Sequence, residues 1–208
     1  MVLVLFGLMA LNFAISWFNA WSVGKVWKER ELAGFFGKLV IWSGAVMSAC
    51  GFIWVYLMIE ALVFRAVGWL DDTQVNGLVS LGYLVIILPV LGSGLALTVN
   101  AWATAWRKRN FVNMAAASWN TFAQTYNTYR AISAIPDALE GVGDVFSPRR
   151  DSKGGTEGAA GAFILLLLLL AVIGGVMTTA VIIRSSARSH AAHVYDKYGL
   201  RKEQPVHY

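Results

Sequence analysis

Charged residues are scarce in this sequence. Asp, Glu, Lys and Arg make up 14% of the 208 residues, whereas hydrophobic residues make up 57%. Soluble domains carry about 25% charged residues. So low a charge content excludes an ordinary soluble domain and favours a protein whose surface faces lipid. Nine tryptophans agree with this interpretation, because tryptophan concentrates at membrane–water interfaces.

Cysteine and histidine are rarer still. The single cysteine, Cys50, has no partner within the chain, so an internal disulfide is excluded. All three histidines follow residue 184, outside every long apolar run, which excludes a haem held between membrane helices by two histidines. His190, His193 and Asp196 are spaced so that one helical face could hold a metal. A solvated tail is the simpler interpretation, and we expect no metal site.

Motifs of catalysis and cofactor binding are also missing. The sequence contains no phosphate-binding loop, no Gly-x-Ser-x-Gly, no His-Glu-x-x-His and no dinucleotide fingerprint. Hydroxyl side chains in the apolar runs have no histidine nearby to act as a base. We therefore expect neither an enzyme nor a cofactor. Arg149 and Arg150 are interpreted as topology determinants, so no nucleic-acid partner is expected.

Long apolar runs are what the sequence does contain. Residues 163–183 carry no charge and no proline, and as a helix they would span about 31 Å, the thickness of a bilayer core. Similar runs cover 2–23, 39–64 and 77–106. The first run has no Lys or Arg before it, so we interpret it as a retained helix and not as a signal peptide. The predicted fold is all-α: a polytopic membrane protein with about four transmembrane helices.

The predicted organisation has four parts. Residues 1–109 form a three-helix membrane region, 110–158 a polar region with an amphipathic helix and a flexible linker, 159–184 the fourth transmembrane helix, and 185–208 a basic tail. If the spans alternate, loops 24–38 and 107–158 share one side with eleven Lys and Arg, against six on the other. The positive-inside rule then places both loops in the cytoplasm. The basic tail argues against this assignment. If the first span did not cross the membrane, the tail would lie on the other side.

Two of the spans carry matching stripes. The first has polar residues at i, i+4 and i+7, namely Asn12, Ser16 and Asn19. The second has small residues at the same spacing, namely Gly44, Ser48 and Gly51. Buried amides need partners in hydrocarbon, and small residues let another backbone approach, so we expect the stripes to pack together. A solvent-lined path is the alternative.

Three further features stand inside the predicted spans. The fourth span has a small face of Ala171, Gly175 and Thr179, which would pack within the chain or against a neighbouring subunit. Glu60 is either a proton or cation site or, as we favour, a side chain that reaches the interface near Arg65. Pro89 predicts a kink, which transporters use at their sites but which is also common in ordinary membrane helices.

The polar middle region has an aromatic stripe. Four large residues fall on one helical face at alternating three- and four-residue steps: Trp119, Phe122, Tyr126 and Tyr129. This helix could lie in the headgroup plane, pack against a partner helix, or continue the third span and pack on the protein's own loops. We favour packing on a partner or on itself. Pro136 suggests a second helix start, and a glycine-rich linker follows from residue 141.

Two functions are consistent with these features. The first is a non-enzymatic structural or accessory subunit of a larger membrane assembly, such as a secretion machine, an energy-transducing complex or a virion membrane. Its partners would be the lipid bilayer and other subunits or further copies of itself. The second is a holin-like pore or a small carrier, whose path would use the polar stripe of the first span, Glu60 and Pro89.

Overall fold

A computed structural model describes residues 2–146 and 157–198, and no strand occurs in these two ranges. Five long helices account for nearly all of them: α1 (Val2–Val26), α2 (Phe35–Ala66), α3 (Asp72–Lys108), α4 (Phe111–Phe146) and α5 (Glu157–Tyr198). A short 3₁₀ turn, Trp27–Glu29, follows α1. The all-α prediction is confirmed.

Three of the helices are long and apolar enough to cross a membrane. They are α2, α3 and the part of α5 from Ala159 to Ala191. This fits an integral multi-pass membrane protein. Within the described residues, the predicted first span, α1, is not among them. Its sequence carries Asn12, Ser16 and Asn19 between apolar residues.

A two-residue turn sets the course of the second half of the chain. Arg109 ends α3 in the left-handed conformation with φ of 46°, a common helix stop. The Asn110 side chain then accepts a hydrogen bond from the Asn113 backbone N–H at 2.8 Å and caps α4. Because the turn is this short, α4 must fold back antiparallel to α3.

Contacts between α3 and α4 extend over almost their whole length. Near the turn, Trp102 Nε1 donates to Thr121 Oγ1 at 2.8 Å. Further along, Tyr83 Oη donates to the Ala131 carbonyl at 2.9 Å. At the far end, Val145 lies directly against Gly77. The helix α4 is therefore as long as a membrane span.

This course corrects two local predictions. Pro136 does not begin a second helix, because α4 continues through it to Phe146, held against α3 on both sides of the proline. The linker does not begin at Gly141, which is helical and packs beside the Ser80 hydroxyl of α3. Residues 147–156 of the predicted linker lie outside the described residues.

The course of α4 also changes which segments share an end of the bundle. Phe163, near the start of α5, packs on Phe64 at the end of α2 and on Trp69 in the turn that follows, with ring centroids 5.5 and 6.2 Å apart. At the other end of α5, Ser186 Oγ donates to the Trp21 carbonyl of α1 at 2.7 Å. The expectation that 107–158 forms one region on one side is not supported, because positions 109 and 145 lie at opposite ends of α3.

The core lies among α1, α2 and α5. One cluster of buried residues gathers Leu57 of α2 with Ile164 and Leu167 of α5, and it includes Leu78 of α3. A second cluster joins Ala20, Phe52 and Ile182 nearer the other end. Outside this core, α3 packs on α2, and α4 packs chiefly on α3. The helix α4 is thus the outermost element of the fold.

Candidate functional site

A polar junction joins α1, α2 and α5. Its centre is Ser48, which is fully buried and whose Oγ donates to the Ser16 carbonyl at 2.7 Å. Asn12 Nδ2 donates to the Gly51 carbonyl at 3.0 Å. Thr179 Oγ1 donates to its own helix at the Gly175 carbonyl and lies 3.4 Å from Ser48 Oγ. The structure therefore brings together residues of all three predicted stripes.

Glycine lets the three backbones approach closely. A Cβ atom at Gly175 would lie 2.8 Å from the Ile53 backbone nitrogen and 3.0 Å from the Ala49 carbonyl oxygen. At Gly51 it would overlap the Ser16 hydroxyl, and at Gly44 it would lie 2.7 Å from a Val23 methyl. Real Cβ atoms do not occupy such positions, so a larger residue would displace a side chain at Gly44 or Gly51 and the α2 backbone at Gly175.

The remaining members of the stripes are buried or half-buried. Ala171 is fully buried in the cluster that surrounds Leu57. Asn19 is half-buried beside the fully buried Ala20. The small face of α5 is thus occupied within the chain, which leaves no part of it for a neighbouring subunit at these positions.

Glu60 is not paired with Arg65. Arg65 Nη2 instead forms an ion pair with Asp72 Oδ1 at 2.9 Å, across the turn between α2 and α3. One carboxylate oxygen of Glu60 is buried, and within the described residues it has no hydrogen-bond partner. The favoured interpretation, in which the Glu60 side chain reaches the nearby interface, is therefore not supported by an ion pair with Arg65.

Pro89 lies on the exposed side of α3, and the helix continues through it. The glycine just beyond it, Gly94, serves a packing role, because a Cβ atom there would overlap the Gln124 amide. Gln124 Nε2 donates to the Leu91 carbonyl at 3.0 Å. The structure does not bring Pro89 to the polar stripe of α1, which packs on α2 and α5.

The four aromatic residues of α4 point away from the protein. The exposed fractions of Trp119, Phe122, Tyr126 and Tyr129 are 68, 64, 53 and 70%. We call these four residues the aromatic face. Within the described residues it is not covered by the protein's own loops, which weighs against one of the three interpretations of this helix.

A second exposed strip of α4 lies beside the aromatic face. It consists of Asn120, Ala123, Asn127 and Arg130, of which all but Ala123 are exposed, and we call it the amide face. Opposite the aromatic face, α4 touches α3 with small and polar residues: Ala117, Thr121, Gln124, Thr128 and Ala131. Sequence reasoning missed this contact strip, although its four- and three-residue spacing was a signal for it.

Metal-ligating side chains do not cluster in the part of the chain that the structure describes: no group of three or more His, Cys, Asp or Glu residues occurs there. The side chains of His193 and Asp196, two of the three candidate ligands in the tail, lie outside the described residues.

Comparison of the chain with protein-family models, curated proteins and solved structures finds no match. Its function must therefore be argued from the geometry of its own residues.

Proposed function

We propose that this chain is a non-enzymatic structural subunit of a membrane assembly, and that it assembles through the outer side of α4. The observation that carries the proposal is the exposed amide face. Its residues lie on a helix that packs along the apolar α3, where lipid would otherwise surround them.

The depth of these side chains in the membrane supports the proposal. Asn127 and Arg130 border the same surface depression as Ile87, Val90 and Leu91, near the middle of the 37-residue α3. At that level in a bilayer, an unpaired amide or guanidinium is costly, so polar residues there face protein or water. A neighbouring subunit would satisfy them.

The spacing of the amides favours another copy of this chain as one partner. Asn120 and Asn127 are separated by seven residues and so lie above one another on the helix. Each amide has both donors and an acceptor, so two parallel copies of α4 can pair equivalent asparagines across a two-fold axis. Ala123, which lies between them, allows the backbones to approach. The adjacent aromatic face would extend the contact.

A pore or carrier has less support. Asn12 and Ser16, the proposed start of a path, take part in contacts with α2. Pro89 is exposed on a different helix pair. Glu60 is the member of the proposed path that has a buried oxygen without a hydrogen-bond partner within the described residues.

We further propose that all five helices cross the membrane, including α4 and the relatively polar α1. The end of the bundle that contains Arg107, Lys108 and Arg109 also contains the 24–38 loop and Arg184. With α4 as a crossing, the tail joins these basic segments, and the positive-inside rule places that end in the cytoplasm. The opposite end carries Asp71, Asp72, Glu140 and Asp144.

Cysteine labelling tests this orientation. In a Cys50→Ala background, Lys28→Cys and Arg109→Cys should react with a membrane-impermeant maleimide from one side, and Asp144→Cys from the other. Labelling of positions 109 and 144 from the same side would show that α4 does not cross.

Particle composition tests assembly. We expect the chain, extracted from native membrane in polymer-bounded lipid discs, to have the mass of a complex or a homo-oligomer. A strictly monomeric particle would contradict the proposal.

A further inference from the structure

A surface groove between α2 and α5 combines an apolar floor with a basic rim. It lies between the first half of α2 and the second half of α5, next to the 3₁₀ turn, and has a volume of about 830 Å³. Cavities of this size are typical of small-ligand sites. None of the predicted functions accounts for it.

Small residues make room along the floor. Ala45 and Ala49 of α2 face Val176, Ala180 and Ile183 of α5. The groove is open along one side and follows the helices, so its shape suits an extended hydrocarbon chain.

The rim lies at the basic end of the bundle. Lys28, Arg184 and Arg188 border the groove there, and all three are exposed. Arg184 and Arg188 are four residues apart and therefore project from the same side of α5. The ion pairs within the described residues, Arg30 with Glu31 and Arg65 with Asp72, involve none of these three cations.

Two tryptophans mark the level of the rim. Trp27 and Trp42 line the groove and pack edge-to-face with ring centroids 5.2 Å apart. Tryptophan prefers the level of lipid headgroups, so the three cations beside it lie where lipid phosphates lie. Basic pockets between membrane helices are a known setting for anionic headgroups.

We propose that this groove binds an anionic glycerophospholipid, with one acyl chain along the alanine-lined floor and the phosphate between Lys28, Arg184 and Arg188. Three cations around a single phosphate favour a lipid of net negative charge over a zwitterionic one. The lipid would seal α2 to α5 at the end of the bundle where α1 also joins them.

Lipid titration followed by native mass spectrometry tests whether the basic rim binds the lipid phosphate. The purified full chain would be titrated with phosphatidylglycerol and, separately, with phosphatidylcholine of the same acyl chains. We expect Arg184→Gln/Arg188→Gln to bind phosphatidylglycerol about 30-fold more weakly, equivalent to about 1 kcal/mol for each cation removed. The matched control is Arg107→Gln/Lys108→Gln, which removes two charges at the same end of the bundle outside the groove. An equal loss in the control would overturn the proposal.

A bulky side chain in the groove tests whether an acyl chain occupies it. Ala180→Phe should lower retention of the lipid, whereas Val181→Phe, the neighbouring residue outside the groove with 62% exposure, should not. Unchanged binding in Ala180→Phe would overturn the proposal. So would displacement of the lipid by millimolar inorganic phosphate, because it would show a site for a free anion without an acyl chain. Equal affinity for phosphatidylcholine would overturn the preference for anionic lipid.

Discussion

The three-helix core of α1, α2 and α5 and the hairpin of α3 and α4 treat their polar side chains differently. In the core, Ser48 and Asn12 donate to backbone carbonyls of facing helices, and glycines hold those helices in close contact. In the hairpin, one strip of α4 is satisfied by α3, while Asn120 and Asn127 remain exposed. The polar junction of the core is satisfied within one chain, whereas the hairpin has an exposed polar strip. This difference is why we assign assembly to α4.

The largest change in the free energy of unfolding is expected from a substitution in the core. Gly175→Ala should reduce the free energy of unfolding by about 1–3 kcal/mol, because the new methyl group meets the backbone of α2. The matched control is Gly92→Ala on α3, where a Cβ atom has nothing within 4 Å. The control should be neutral or gain up to about 1 kcal/mol through helix propensity. Unfolding in a denaturing detergent measures both, and equal losses would contradict the contrast between core and hairpin.

Substitutions in the amide face should have a smaller effect, and they should change the free energy of subunit association and not that of folding. Asn120→Leu and Asn127→Leu should each weaken subunit association in liposomes by about 1–2 kcal/mol, since each removes one interhelical hydrogen-bonding amide. The free energy of unfolding should change by less than about 0.5 kcal/mol, because both side chains are exposed. Energy transfer between labelled chains measures the association.

Gln124→Leu is the counterpart on the satisfied strip of α4. Its amide donates to α3 within the chain, so this substitution should affect unfolding and leave association intact. If both Gln124→Leu and Asn127→Leu changed only unfolding, or both changed only association, the two strips of α4 would not differ as described.

The smallest expected effect is the loss of one core hydroxyl. Ser48→Ala removes the hydrogen bond to the Ser16 carbonyl and should cost about 0.6 kcal/mol, the average for such bonds between membrane helices. Ser133→Ala, an exposed serine of α4 that bonds only to its own helix, is the control and should be neutral. A loss in Ser133→Ala as large as in Ser48→Ala would indicate a general effect of serine removal.

The sequence could predict the helices and the core stripes, because both depend on local spacing. Long apolar runs predict helices, and small residues at i, i+4 and i+7 mark the faces where Ser16 and Ser48 meet. The return of α4 along α3 was harder to predict. Its contact strip is made of alanine, threonine and glutamine, which resemble a solvated face when periodicity of large apolar residues is the guide.

The interpretation of the charge pattern depends on the same helix. With α4 treated as a loop-side helix, the basic tail conflicted with the positive-inside rule. The contact between Ser186 and Trp21 places the end of α5 beside the 24–38 loop. In the proposed orientation the 24–38 loop, residues 107–109 and Arg184 then lie at one end of the bundle.

Site-specific photo-cross-linking in native membrane is the decisive test of assembly through α4. A benzophenone amino acid at position 126, in the aromatic face, and one at Val181 on α5 would report what each surface contacts. We expect protein adducts at 126 and lipid adducts at 181. Lipid adducts alone at both positions would contradict it.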